Sequence, residues 1–125
     1  MGNRNKHEAN WGIDSLLEFA SSLGIAGYAF IIICGSSGYA GAAAVTATLA
    51  GFGPAGMVGG IVSFAAATIL LKGILKYGAD ELAAAVAKRL YAKGKTKEEL
   101  LKDLEKLPLS KSKKDRIRES LESSF

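Results

Sequence analysis

Residues 24 to 50 read GIAGYAFIIICGSSGYAGAAAVTATLA, and whether this stretch is one helix or two decides the fold. It lies inside a longer tract, Phe19 to Leu71, that contains no Asp, Glu, Lys or Arg. A single helix of that tract would reach roughly 80 Å, far beyond a hydrocarbon layer of ~30 Å. The chain must therefore fold back at least once. Two places offer the reversal: GSSG at 35–38 and GFGPAG at 51–56. Pro54 has no amide N–H and biases Gly53 away from helix, while Gly51 and Gly53 tolerate positive φ, so GFGPAG is the better turn.

That division predicts an all-α fold built on a membrane helical hairpin, with spans over 23–50 and 57–77. A polar N-terminal segment (1–18) precedes the Gly/Ala-rich hairpin (19–78), and a small charged helical tail (79–125) follows it. The second span, MVGGIVSFAAATILLKGILKY, has close to the ideal length, and its only charges, Lys72 and Lys76, lie in the last turns where long stems snorkel. The rival topology has three segments, 16–34, 39–52 and 57–77, the middle one short enough to be re-entrant. Residues 72–125 carry fourteen Lys/Arg against nine Asp/Glu. The positive-inside rule then keeps the tail on the cytoplasmic side of an inner or plasma membrane. With two spans the N-terminus lies there too, and Trp11, Lys72, Lys76 and Tyr77 form the interfacial set.

In lipid, small residues let helices approach closely. Gly56 and Gly60 form a GxxxG, and a ladder of small residues runs Ala43, Ala47, Gly51, Ala55, Gly59, Ser63, Ala67, divided by the turn at Pro54. A second ladder runs Gly38, Ala42, Thr46, Ala50, with Gly41 lying off the main stripe. One use is packing the hairpin against itself. The surplus of smooth surface points to contacts between copies, hence a homo-oligomer in a lipid bilayer. Thr46, Thr48, Ser63 and Thr68 are the candidates to face a lumen. Each hydroxyl can equally bond a carbonyl of its own helix. Without a charge ring, a pore lined this way would be poorly selective or gated by apolar closure.

The tail reads as three short helices. Asp80 and Glu81 suit a first turn, Leu82, Val86 and Leu90 form a stripe, and Gly94 caps the end. In TKEELLKDLEKLP, Thr96 and Glu99 form a capping box, Leu100, Leu101, Leu104 and Leu107 supply the apolar face, and Pro108 stops the helix. A last helix over 113–123 begins with a Ser112/Asp115 box and offers Ile117 and Leu121. This core is thin, so the tail leans on itself, on a neighbour or on the lipid surface. It is also the region for a protein partner.

Other functions lack material. At 125 residues and a net charge of +4, the chain is one domain's worth with an anionic bias. The basic cluster KSKKDRIR at 111–118 has no interleaved aromatics, so nucleic acid is not expected as a partner. The single cysteine, Cys34, excludes an intramolecular disulfide and reads as a buried apolar residue. Glu8, Asp14 and Glu18 interrupt what would be a signal peptide, and Lys6 breaks a myristoylation pattern. With His7 the only histidine and no phosphate-cradling motif, no enzyme activity, cofactor or metal is expected.

The layout over residues 19–125 resembles small glycine-zipper membrane proteins and, more loosely, two-span holins, with GPAGMVGG at 53–60 as its most pointed part. The resemblance implies oligomerisation and membrane permeabilisation. The leading expectation is an oligomeric membrane protein that forms or regulates a pore, as a lysis, toxin or defence effector. Its alternatives are a non-conducting anchor whose tail binds a protein, and a soluble all-helical oligomer.

Overall fold

The computed structural model describes residues 12–38, 41–52 and 62–124. Among these residues the chain forms seven helices and no strand. They are α1 (Ile13–Ser22), α2 (Ile25–Gly35), α3 (Gly41–Gly51), α4 (Phe64–Tyr77), α5 (Ala79–Ala92), α6 (Lys97–Glu105) and α7 (Lys111–Ser124). The all-helical class is as expected, but the helices divide the apolar tract differently.

The stretch 24–50 is not one helix. Gly24 takes a left-handed φ of +66° before α2, and Gly38 one of +82° after it. At the GSSG break, Ser36 turns its Oγ back to donate to the Ile32 carbonyl at 2.9 Å. Its amide caps the same end through Ile32 and Ile33. The break within 24–50 therefore lies at 35–38. The rival segment 16–34 is broken as well, because α1 and α2 meet at 113° across Leu23 and Gly24. In α4, Ser63 stands in extended geometry as the N-cap, accepting from the Ala66 amide at 3.1 Å. The helix proper thus begins at Phe64.

At 1.5 Å per residue, α2 and α3 are each about 16 Å long and α4 about 21 Å, against the ~30 Å of a bilayer core. No single described helix is long and apolar enough to cross a membrane. The bent pair α1 and α2 meets length and composition only together.

α2 is the axis of the molecule. Every residue from Ile25 to Cys34 is buried, and α2 packs against each of the other helices. Its run of β-branched isoleucines is a poor intrinsic helix former, so burial rather than propensity holds it. Fully burying Tyr28, Phe30 and Ile31 is worth roughly 1.5–3 kcal/mol for each such side chain.

The tail supplies much of the cover. Leu82, Val86 and Leu90 of α5, Leu100 and Leu104 of α6, and Ile117 and Leu121 of α7 are all buried in the same core as α2. One continuous core thus draws on both sides of residue 78. The helical stripes and the Thr96/Glu99 box stand where the spacing puts them: Glu99 N donates to Thr96 Oγ1 at 3.1 Å and Thr96 N to Glu99 Oε1 at 2.9 Å. The last helix differs at its start. Ser110, not Ser112, accepts from the Lys113 amide, at 3.4 Å. Asp115 is engaged by Lys111 and Arg118 instead.

Candidate functional site

The burial pattern of α3 locates the small-residue ladders. Ala44, Val45, Thr48 and Leu49 face the core, whereas Ala42, Ala43, Thr46 and Ala50 are exposed and Ala47 is half-buried. Both ladders on this helix thus look outward rather than packing it against α2 or α4. Gly38 and Gly41, with φ of +82° and +57°, serve the approach to α3 rather than a helical stripe. Of the remaining rungs, Gly51 lies half-buried near Lys113, Ser63 is the cap of α4, and Ala67 is fully buried. Trp11, Gly53, Pro54, Gly56, Gly59 and Gly60 lie outside the described residues.

Three of the four candidate hydroxyls are locally bonded, Ser63 as the cap of α4, while Thr46 is exposed. Thr48 Oγ1 donates to the Ala44 carbonyl at 2.7 Å and Thr68 Oγ1 to Phe64 at 2.9 Å. Among the described residues no buried side-chain nitrogen or oxygen lacks a partner.

α4 presents two apolar faces. Its inner face, Ala66, Ala67, Leu70 and Gly73, is buried. On the outer face Phe64, Thr68, Leu71 and Leu75 fall within about 60° of one another at 100° per residue. Phe64 is 58% and Leu75 71% exposed. Lys72 and Lys76 run along one edge of this stripe, both exposed, and the Lys76 ammonium lies 5.4 Å from the centre of the half-buried Tyr77 ring. Among the described residues neither lysine has an ion pair. α3 bears no charge and α4 none before Lys72, so α3 and the first half of α4, which pack together, form an uncharged flank that ends at Lys72 and Lys76.

The helices α1 and α5, and likewise α6 and α7, are laced by ion pairs that the sequence reading missed. Glu18 of α1 meets Arg89 at 3.1 Å and Lys93 at 2.9 Å on α5, and Asp14 lies 3.6 Å from Arg89. The hydrogen bond and charge of Lys93, with Arg89 adding to them, hold the Glu18 carboxyl below its ordinary range. Lys111 and then Arg118 do the same for Asp115, and Asp115 and Glu105 raise the Arg118 guanidinium. A signal was present: acids at 14 and 18 and bases at 89 and 93 share a four-residue spacing, which puts each pair on one helix face.

A polar cleft of about 520 Å³ opens between the C-terminus of α2, the start of α5 and α7. Arg116 Nη1 donates to Ser36 Oγ there at 2.8 Å, with Asp80 and Glu119 alongside. The Arg116 guanidinium stands there as a cation, sharing the cleft with the two carboxylates and the Ser36 hydroxyl it donates to. Among the described residues no group of three His, Cys, Asp or Glu side chains could hold a metal ion.

Compared with known proteins, the chain matches no family model, no curated protein and no solved structure.

Proposed function

We propose that the chain is a membrane-active protein that assembles into oligomers and forms or regulates a pore. The observation carrying this reading is the uncharged flank. The ladder residues on α3, Ala42, Ala43, Thr46 and Ala50, face outward, beside an apolar stripe on α4. Close packing of smooth helix faces between copies is the natural use of such ladders in lipid. In this account the form described is the closed one, with α2 covered. A protein partner of residues 79–125 would read their charged outer surface, because their apolar stripes lie against α2.

Release of dye from vesicles tests the proposal. Wild-type protein should release it, and Ala43→Leu with Ala50→Leu should cut both cross-linked oligomer and release several-fold while helicity is unchanged, since both sites are exposed. No release of dye or ions by the wild type, with assembly indifferent to the two leucines, would remove the pore and the ladder contact together. A second reading, an all-helical oligomer that stays in water, is favoured by the complete covering of α2. Recovery in the aqueous fraction of broken cells, without detergent, selects it.

A further inference from the structure

We infer that the outer face of α4 docks onto an anionic lipid bilayer, with the helix lying in the plane of the interface. This rests on the membrane-active reading and adds to it the face and the headgroup charge. Phe64 and Leu75 are eleven residues apart, about three turns, and return to the same side of the helix with Leu71 between them. Isolated exposed apolar side chains are ordinary, but Phe64 and Leu75, exposed about 16 Å apart on one side of the helix with the outer edge of the half-buried Leu71 between them, make a shared surface. The inner face of α4 is fully employed in the core, so the helix is held with this line outward.

Charge identifies the occupant. Lys72 and Lys76 edge the stripe, α4 contains no acid, and among the described residues neither lysine has an ion pair. Long lysine stems can follow the apolar surface while their ammonium groups reach phosphate level. A second copy fits less well. A symmetric contact would set the same patch against itself and bring four lysines together with no carboxylate on the face to balance them. An anionic leaflet supplies that balance, and each lysine near it strengthens binding about five-fold. Such a helix, apolar on one side and basic at its edge, is built to lie in the interface rather than cross it.

Co-sedimentation of the full chain with vesicles tests this. One set is phosphatidylcholine alone and the other phosphatidylcholine with phosphatidylserine in a three-to-one ratio. The wild type should prefer the mixed vesicles. Lys72→Gln with Lys76→Gln should weaken binding to the mixed vesicles about 25-fold, the product of two five-fold steps, with little change on phosphatidylcholine. Leu75→Glu should weaken binding to both. Lys88→Gln with Lys102→Gln removes the same charge elsewhere on the surface and should leave binding within about two-fold of wild type. Each variant replaces exposed residues, and a thermal melt confirms that it is folded.

Equal losses from both lysine pairs would overturn the proposal, since net charge alone would then be at work. So would a Leu75→Glu variant that binds vesicles normally but changes oligomer size without lipid, which would make the face a contact between copies. Docking without dye release removes the pore reading and leaves this one standing. Dye release with docking indifferent to α4 does the reverse.

Discussion

Among the described residues, Gly27, Gly35 and Gly73 are close-approach glycines outside the ladders read from the sequence, while Gly51, a ladder rung, approaches only the ammonium end of Lys113. A Cβ on Gly27 would meet the Ala20 carbonyl oxygen at 2.5 Å, across the bend between α1 and α2. One on Gly73 would meet Leu16 Cδ2 at 2.5 Å, the movable end of a side chain. Backbone cannot yield as a leucine tip can, so Gly27→Ala should destabilise by about 1–3 kcal/mol. At Gly73 the helical gain of roughly 1 kcal/mol for Gly→Ala offsets the shift of Leu16, leaving that variant within about 1 kcal/mol of wild type. Urea unfolding of the two variants measures the contrast, and equal losses would contradict it. Nothing in the local sequence distinguishes Gly27 from its neighbours. Its partner is set by a chain reversal, which a count of small residues at four-residue intervals does not see.

At the level of elements, legibility followed the range of the interactions. The Thr96/Glu99 box and the 82, 86, 90 stripe are local, and the spacing alone sufficed. The Ser112/Asp115 spacing fits the pattern of a capping box for α7, and Ser110, followed by Lys113, does not. The choice falls to Ser110, while Asp115 is engaged by Lys111 and Arg118, side chains outside the box pattern. The clamp between α1 and α5 joins residues 71 and 75 positions apart, beyond any local rule. Its dependence on pH has a definite sign. Glu18 is held below its ordinary value near 4.5, so its contribution is complete above that value and is lost as pH falls through the lowered one. Glu18→Gln should therefore lower the melting temperature slightly at pH 7, the effect being small because the pairs are exposed. The gap from wild type should shrink as pH falls below the ordinary Glu range. A gap that persists unchanged in acid would show that the clamp acts through packing instead.

For the molecule as a whole, the ambiguity lay in α2. A helix apolar on every side reads equally as a membrane span or as the axis of a core, since neither use requires a polar face. What separates the two is the amphipathic character of helices far along the chain. Their buried stripes were legible one by one, but their common target was not. The exposed face of α4 was hidden for a related reason: Phe64 and Leu75 look the same in sequence as the buried Leu70. If α2 is the axis, Ile31→Ala should open a cavity that the surrounding helices cannot close, costing about 2–5 kcal/mol. Thermal and urea unfolding in water measure that loss. A loss below ~1 kcal/mol would mean that α2 is not tightly enclosed.

The hydrogen bond between Tyr28 Oη of α2 and Ser120 Oγ of α7, 2.8 Å long, also has a meaning in time. Ribosomes make α2 early and α7 late. At roughly 5–20 residues per second, about 4–18 seconds separate the completion of the two helices. For that interval the most water-averse segment of the chain has been made while part of its covering has not. Slowing or speeding translation between residues 36 and 124 should therefore shift newly made protein toward or away from whatever apolar surface captures it first.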